Sequence, residues 1–474
     1  MNAKTWMRSA LIFIFFISLT ALGYHIFFAE SDARNAFSPG SAGGSYRKVA
    51  QLPLGYVEVK NYQRMGFTRG ILRFSPDSSK LAVGTETGQV LVLSAAGETL
   101  WERPAGIAKI TAMDFSADGG SLYVGETGAE GNLYCLDAAT GKERWKCGLA
   151  GELGSDIKRK NYPGVIRILT DQTGRVFALA QRYDRSASGE SLYYAKIFCL
   201  SPSGQPIWQY PCEAVMDAWV NWMSVDARGG RVVFGTANFD TGRQYRYNKN
   251  LYCLAGDTGL EAWSAIVDPV PPFNRTILRG SPNISSDGGY VAAMASDGRA
   301  FLFDDGGREL WRRTLSQPKK ISGVFLNAVG RDAYMLGDYA IFATINTYNN
   351  ANWQLPTPVE HPSSNSLFVF AADGRFVSKW RAGGSIEEIA FAGRTLAAAV
   401  GRNTKTKDPR IHGLYVLAMP DATVAERMAT DGPCVAAAVS PDRRYVAGLE
   451  APLQMDDGTV VGSYQLWLWE QAGR

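Results

Sequence analysis

The sequence predicts an all-β protein: an eight-bladed β-propeller of four-stranded antiparallel blades, preceded by one N-terminal transmembrane helix. Two observations predict the propeller, namely a β-rich hairpin such as "NLYCLDAATGKERWK" (132–146) that recurs along the chain and a Gly-x-x-x-Trp spacing that recurs with it. Four strands in each repeated unit of roughly 40 to 65 residues are typical of propeller blades. A third observation, an apolar segment near the N-terminus, predicts the membrane helix.

The composition is that of a folded protein without an extreme charge. Of 474 residues, 46% are hydrophobic and 20% are charged, which argues against intrinsic disorder. The formal net charge is +4 and no long basic run occurs, so nothing in the charge pattern predicts nucleic acid as a partner.

Residues 9–28 contain no Asp, Glu, Lys or Arg and follow Lys4 and Arg8. About 20 apolar residues rising about 1.5 Å each cross a hydrocarbon core of about 30 Å. We therefore expect a single-pass anchor at 9–28, a cytoplasmic N-terminus at 1–8, and a propeller on the extracytoplasmic (periplasmic or outer) side of the cell membrane. The alternative is a cleaved secretory signal, although its apolar region is usually only about 7 to 15 residues long. Either alternative places the rest of the chain outside the cytoplasm.

Residues 29–50 are rich in Ser, Gly and Ala and lack apolar periodicity, so they are predicted to be a flexible linker. The propeller is then predicted over residues 51–474. No cysteine lies near the end of the apolar segment, which argues against a lipoprotein anchor.

The recurrent hairpin supplies the third and fourth strands of each predicted blade. Short β-rich runs end in small polar residues and usually Gly, which is the pattern of a strand and a turn. In five repeats a Trp follows the Gly at constant spacing, and the sixth pair is looser. The pairs are Gly97 and Trp101, Gly141 and Trp145, Gly204 and Trp208, Gly259 and Trp263, Gly307 and Trp311, and Gly374 and Trp380. We interpret these Trp residues as structural, because a buried Trp covers about 150 to 250 Å².

A second hairpin precedes the first in each repeat, as in "FSPDSSKLAVG" (74–84) and "VSPDRRYVAGLE" (439–450). Together the two hairpins make four strands, repeated eight times. The last repeat ends after its third strand, "YQLWLWE" (464–470). The strand-like segment 55–63 is therefore predicted to pair with it and close the ring, which leaves no exposed sheet edge at the seam.

These repeats resemble the PQQ-like (quinoprotein-type) β-propeller repeat family, whose units typically contain "LYxLDxxTGxxxW". The resemblance covers roughly residues 55–474 and implies that the Gly and Trp of neighbouring blades dock together. The "SPD" turns also resemble WD40 or YVTN repeats. Repeats six to eight depart from the pattern, and repeat seven has no Trp. The family contains both cofactor-dependent dehydrogenases and non-catalytic binding scaffolds, so the resemblance leaves the function open.

The sequence predicts no catalytic, cofactor-binding or metal-binding residue. The dehydrogenase branch carries two adjacent cysteines above its quinone, whereas the six cysteines here are never adjacent. Only three histidines occur, and no nucleophile elbow, Walker loop or C-x-x-C pair is present. Cys135, Cys199 and Cys253 recur in third strands, which indicates core packing, while Cys147 and Cys212 either form a disulfide or stay free.

Long insertions fall mainly after second and fourth strands, and therefore on one face of the predicted ring. Long loops on a rigid frame are where binding usually occurs. The candidate interaction residues on this face are Arg182, Tyr183, Tyr193, Tyr194, Tyr245, Arg246, Tyr247, Arg275, Tyr348 and Trp353.

We expect this face to bind another extracytoplasmic protein, so that the propeller acts as a non-catalytic protein-binding or assembly scaffold. The alternative for the loops is a set of solvated insertions with scattered aromatic residues. The alternative for the whole protein is a quinone-dependent or other redox enzyme with a small ligand in the axial funnel.

Overall fold

The computed structural model describes residues 46–61, 71–104, 109–237, 245–273, 276–278, 280–321, 324–348, 360–401 and 408–472. This part of the chain is all-β, with helix limited to α1 (Ala150–Leu153) and a 3₁₀ turn at Pro409–Ile411. No helix within these ranges is long and apolar enough to cross a membrane. The predicted anchor at 9–28 lies outside the described residues.

Two strands precede the repeated sheets, and the sheets of the N-terminal half follow in chain order. The first two are β1 (Tyr46–Pro53) and β2 (Lys60–Asn61). The next four sheets are β3 (Ile71–Phe74), β4 (Lys80–Gly84), β5 (Gln89–Ser94) and β6 (Thr99–Pro104); β7 (Lys109–Phe115), β8 (Ser121–Thr127), β9 (Asn132–Asp137) and β10 (Glu143–Gly148); β11 (Gly164–Thr170), β12 (Val176–Arg185), β13 (Ser191–Leu200) and β14 (Pro206–Tyr210); and β15 (Trp219–Val225), β16 (Arg231–Ala237), β17 (Leu251–Ala255) and β18 (Glu261–Ala265).

The C-terminal half repeats the same arrangement. Its strands are β19 (Asn283–Ile284), β20 (Tyr290–Met294), β21 (Arg299–Asp304) and β22 (Glu309–Thr314); β23 (Lys319–Ile321), β24 (Val324–Leu336), β25 (Tyr339–Tyr348), β26 (Ser366–Ala371) and β27 (Phe376–Arg381); β28 (Ile386–Ala392), β29 (Thr395–Val400), β30 (Gly413–Ala418) and β31 (Thr423–Ala429); and β32 (Cys434–Val439), β33 (Tyr445–Glu450), β34 (Leu453–Gln454), β35 (Val460–Val461) and β36 (Gln465–Gln471). Strands within the first seven sheets pair antiparallel with their chain neighbours, and one pair, Gly164 opposite Thr127, joins the second sheet to the third. In the last sheet β33 pairs with β36, while β34 and β35 form a separate small sheet with β2. The β2–β34 pair is the only parallel one among the described strands.

The sheets are arranged in a closed circuit. The first strand of each sheet contacts the first strand of the next, from β3 through β7, β11, β15 and β19 to β24, and from β28 through β32 back to β3. β24 reaches β28 through Arg331, whose Nη1 lies 3.5 Å from Glu387 Oε2. First strands therefore surround a common axis, as in a β-propeller.

The apolar core lies between sheets. Each buried cluster joins side chains of two neighbouring sheets, and one of them joins the last sheet to the first through Leu449, Leu466, Leu72 and Leu93. Small residues in second strands permit this close packing. A Cβ added at Gly125 on β8, for example, would lie 2.7 Å from Val165 on β11.

The ring is closed by an earlier segment than the sequence analysis predicts. β1 pairs antiparallel with β36, from Tyr46 opposite Gln471 to Pro53 opposite Gln465. The prediction that residues 55–63 fill this place is wrong, and so is the assignment of residues 46–50 to the linker 29–50. β1 is an outermost strand and needs only one covered face. Its exposed Arg47 and Lys48 therefore interrupt the apolar residues by which a strand is recognised in the sequence.

Short and long connections between strands lie at opposite faces of the ring. Turns between first and second strands, and between third and fourth strands, contain five residues or fewer. Longer connections such as 149–163, 211–218 and 451–464 lie at the opposite face because strand direction alternates. We call these the short-turn face and the long-loop face.

Candidate functional site

The motif tryptophans dock each sheet to the next one. The ring of Trp208 packs on Gly259, where an added Cβ would lie only 2.6 Å from the indole, and Gly259 has a φ of +69°. Every indole N–H in the five regular pairs donates to a backbone carbonyl of the neighbouring turn, at 2.8 to 3.1 Å. The docked pairs are Trp101 with Gly141, Trp145 with Gly204, Trp208 with Gly259, Trp263 with Gly307, and Trp311 with Gly374. These side chains are occupied in packing and hydrogen bonding, so they hold the ring together.

The docking pattern changes at the seam. Gly97 has no preceding Trp, and the residue opposite it is Ala50 of β1, whose Cβ lies 2.5 Å from the place of a Gly97 Cβ. Ala50 pairs with Leu468, just as Trp145 pairs with Cys135. Trp380 is buried, and its ring packs against that of Tyr415 in a tilted arrangement with the centroids 5.5 Å apart. The closing strand therefore occupies the docking position with a methyl group in place of an indole.

Most of the candidate interaction residues within the described ranges pack against the protein itself. Arg182, Tyr193, Tyr245 and Tyr247 are all less than 10% exposed. Tyr193 lies between Tyr183 at 5.6 Å and Tyr245 at 5.9 Å, so the three rings join the β12–β13 hairpin to the next loop. In this conformation the four buried side chains cannot serve as exposed anchors.

The remaining candidates differ in exposure. Tyr183 is 37% exposed, Arg246 is exposed and Tyr194 is half-buried beneath the Arg182 guanidinium at 4.2 Å. Tyr348 ends β25. Arg275 and Trp353 lie outside the described residues.

A short loop next to these residues contributes no residue to the predicted interaction set. An antiparallel β-bridge between Asp156 and Asn161 closes a short loop, and residues 157–160 form its projecting tip. Ile157 is 70% exposed, and residues 158–160, Lys-Arg-Lys, are exposed as well. Arg159 lies 3.8 Å from Asp184 on the neighbouring hairpin, so the tip is continuous with Tyr183. An apolar residue beside three cations was its sequence signal.

A second group of polar residues lines the axis on the first strands. Arg73, Asp114, Arg167, Trp222 and Glu388 are only half-buried although they lie on the innermost strands, so the axis is open to solvent beside them. Burial lowers the pKa of Arg167 to about 10, and Arg73 on β3 acts in the same direction. Asp114 on β7 and Glu388 on β28 oppose that decrease.

β-Bulges turn the first strands at the level of these residues. Six first strands carry a register shift at the equivalent place, at Ile110/Ala112, Val165/Arg167, Val220/Trp222, Gly330/Asp332, Ile386/Glu388 and Cys434/Ala436. Bulges commonly re-aim side chains near sites. Polar residues inside otherwise apolar strands, as in "VIRIL" and "IEEIA", were the available sequence signal.

The axial carboxylates do not fit the hard cation that the dehydrogenase branch holds beside its quinone. Glu387 and Asp332 are paired with Arg331, and Glu388 accepts the Ala437 N–H at 3.2 Å. A hard cation needs several carboxylate or carbonyl oxygens free of cationic neighbours. No group of His, Cys, Asp and Glu within the described part of the chain is arranged to hold a metal ion.

All six cysteines are free thiols. The disulfide considered for Cys147 and Cys212 is not formed, and these residues are half-buried and exposed respectively. Burial raises the pKa of Cys199 to about 12 and of Cys253 to about 11, so these thiols stay protonated.

Comparison with known proteins identifies similar repeats and folds. Residues 86–190 and 173–354, together more than half of the chain, match a PQQ-like family model described as outer membrane protein assembly factor BamB. The crystal structure of BamB from Moraxella catarrhalis is similar with a TM-score of 0.52 and 16% identity, over 90% of this chain and 99% of that one. A europium-containing methanol dehydrogenase is similar with a TM-score of 0.56 and 12% identity, over 91% of this chain and 95% of that one. A search of curated protein sequences gave no significant match. At these identities the structural likeness concerns the fold alone.

Proposed function

Because the chain belongs to the PQQ-like β-propeller family, we propose that it is a membrane-anchored, extracytoplasmic, eight-bladed propeller that acts as a non-catalytic protein-binding or assembly scaffold. The matching family model is described as an assembly factor, which supports a scaffold function. The eight-bladed arrangement is supported by four-stranded sheets whose first strands form a closed circuit.

The observation that carries the proposal is the collection of long connections on one face of the ring. The tip at 156–161 projects Ile157 into solvent and contacts the β12–β13 hairpin through Arg159 and Asp184. The opposite face consists of turns of five residues or fewer. Tyr183 on the adjoining hairpin is also exposed, and aromatic residues are enriched in protein–protein interfaces.

The position of β1 supports the same orientation. Tyr46 pairs with Gln471 at the end of β36, so the chain enters the ring at the short-turn face. A linker from residue 29 to 45 extends at most about 60 Å at about 3.5 Å per residue. An anchor at 9–28 would therefore tether the short-turn face and leave the long-loop face free for a partner.

Site-specific cross-linking tests the proposal. A photoreactive amino acid at Ile157 should give a discrete protein adduct in cells, and the same probe at Thr140, on the short-turn face, should not. Ile157→Asp should then abolish copurification of the adduct's protein. Equal adducts from both positions, or none from either, would contradict the proposal.

The alternative is a redox enzyme that uses a small ligand in the axial funnel. It is favoured by the solvent-open axis and by the fold shared with a methanol dehydrogenase. Purified protein incubated with pyrroloquinoline quinone and Ca²⁺ should then reduce a dye in the presence of an alcohol. Since the axial carboxylates do not fit Ca²⁺, we expect no dye reduction.

A further inference from the structure

A groove of about 800 Å³ lies at the outer rim of the ring, between the third and fourth sheets. We call it the rim groove, and its lining consists of residues 206–212, Arg246, Tyr247, Lys249, Tyr252 and residues 258–261. It is formed on outermost strands, so it is separate from the axis, and it shares no residue with the loop at 156–161.

The groove is open because Tyr210 occupies a position that arginine fills in two other sheets. The residue two places after the docking Trp is Arg103 in the first sheet and Arg313 in the fifth. Each of these arginines donates to the carbonyl of the docked glycine in the next sheet, at 3.2 and 2.9 Å respectively. Tyr210 instead packs its ring against Phe234 and Tyr247, with centroids 5.8 and 6.1 Å away. The space between the third and fourth sheets is therefore left unfilled.

The turn beside the groove carries an apolar residue where the other repeats carry a polar one. In the fourth sheet the residue after the docked glycine is Leu260, which is 69% exposed. Ile207 on β14 also lines the groove and is 48% exposed. Because Leu260 buries so little surface within the fold, its apolar side chain is available to a partner. The polar residues at the equivalent place are Glu98, Lys142, Gln205, Arg308 and Arg375.

The charges at the groove leave one cation without a carboxylate. Glu261 lies 3.7 Å from Lys249 Nζ, so these two charges compensate each other. Arg246 is exposed, and within the described part of the chain no carboxylate lies within ion-pair distance of its guanidinium. Its position is fixed, because Asp217 accepts the backbone N–H groups of Arg246 and Tyr247 at 3.0 and 3.1 Å. The groove therefore combines an apolar wall with a net positive charge.

The edge of β14 favours an extended chain as the occupant. β14 is the last strand of its sheet and, among the described strands, pairs only with β13. An outermost strand has backbone N–H and C=O groups along its outer edge that an extended peptide can pair with.

We propose that the rim groove binds an extended peptide segment of a partner protein in which an apolar side chain stands next to an acidic residue. The apolar side chain packs between Leu260 and the ring of Tyr210, and the carboxylate accepts charge-assisted hydrogen bonds from Arg246. This contact adds a second surface to the proposed scaffold. It does not depend on Ile157, so a failed cross-link at Ile157 leaves it unaffected.

Selection from a random peptide library displayed on phage tests the chemistry of the occupant. The library is first depleted on the Leu260→Lys variant and then selected on the detergent-solubilised full-length protein. We expect enriched sequences in which an apolar residue stands beside Asp or Glu. No enrichment, or enriched sequences that lack an acidic residue, overturns the proposal.

Fluorescence anisotropy with the most enriched peptide, labelled and synthesised, measures the contribution of each side chain. The Kd should rise about tenfold or more in Leu260→Lys and in Arg246→Gln. Added salt should weaken binding to the wild-type protein more than to Arg246→Gln. Leu260→Lys is expected to fold, because Lys142 occupies the same place in the second sheet, and circular dichroism checks this.

Leu310→Lys is the matched control, since Leu310 is 38% exposed on β22 and does not line the groove. An unchanged Kd in either groove variant, or an equal loss in Leu310→Lys, overturns the proposal. Sedimentation velocity tests a second copy of the chain as the occupant. Self-association of the wild-type protein that Leu260→Lys abolishes would assign the groove to a second copy and overturn the assignment to a partner.

Discussion

Removing one docking tryptophan should destabilise the ring far more than removing its exposed neighbour. Trp208 is 9% exposed, donates its indole N–H to Gly256 O at 2.8 Å and lies 6.0 Å from Phe177. Truncating such a Trp to Ala costs about 3 to 5 kcal/mol, through the cavity and the lost burial. Ile207 lies next to it on β14, points to the other side and is 48% exposed, so Ile207→Ala should cost less than about 1 kcal/mol.

The glycine side of the same contact gives an independent estimate. Gly259 has a φ of +69° and an added Cβ would lie 2.6 Å from the Trp208 ring. Gly259→Ala should therefore cost about 1 to 2 kcal/mol for the left-handed backbone conformation alone, and more from the clash. Because Trp208→Ala removes the clash partner, the double variant should be less destabilised than the sum, by about 0.5 to 3 kcal/mol.

Guanidinium unfolding followed by far-UV circular dichroism measures these differences. The comparison uses transition midpoints of variants that keep the wild-type slope, since a changed slope indicates that more than one domain-like unit unfolds separately. A Trp208→Ala loss no larger than that of Ile207→Ala would refute the docking argument. Strict additivity of Trp208→Ala and Gly259→Ala would refute the contact between them.

Three further predictions concern the seam, the pH dependence and the thiols. A chain that begins at Leu54 should aggregate or associate, because loss of β1 exposes the edge of β36, whereas a chain that begins at Tyr46 should stay monomeric. Size-exclusion chromatography of both chains checks this, and a monomeric elution volume for both would contradict it. The free energy of unfolding should fall as the pH drops from about 7 to about 5, because burial holds the pKa of His361 and His412 below the usual 6.5 and the unfolded chain therefore binds more protons than the folded one. Urea unfolding at several pH values should show this decrease, and the variant with both histidines changed to Gln should show a smaller one. Cys212 should be the thiol that reacts fastest with Ellman's reagent in the folded protein, and Cys212→Ser should remove the fast phase.

Several features of the fold follow from local patterns and were predictable from the sequence. The strands, turns and Gly-x-x-x-Trp spacing recur in the chain because each sheet packs against the next one in the same way. The Trp–Gly contacts join neighbours in the chain order, so the family resemblance already implied which sheets would meet. The need for an N-terminal strand at the seam was also predictable, since the last repeat lacks its fourth strand.

The candidate sites were harder to predict, because exposure depends on contacts between distant segments. Tyr193 and Tyr245 have the residue type of interface anchors, but they bury each other across two loops. The sequence shows Ile157 beside three cations, but its exposure depends on the bridge between Asp156 and Asn161, which makes residues 157–160 a projecting tip.

What the sequence alone determined is the repeated unit: four strands, their turns, and the indole and glycine that join consecutive sheets. These depend on residues close together in the chain. Only the tertiary structure decided that β1 at residues 46–53 closes the ring, because an edge strand with one covered face has no strong pattern of its own. It alone also placed the Arg167 guanidinium of β11 over the ring of Trp222 on β15, since residues about 50 positions apart become neighbours only when successive sheets pack side by side.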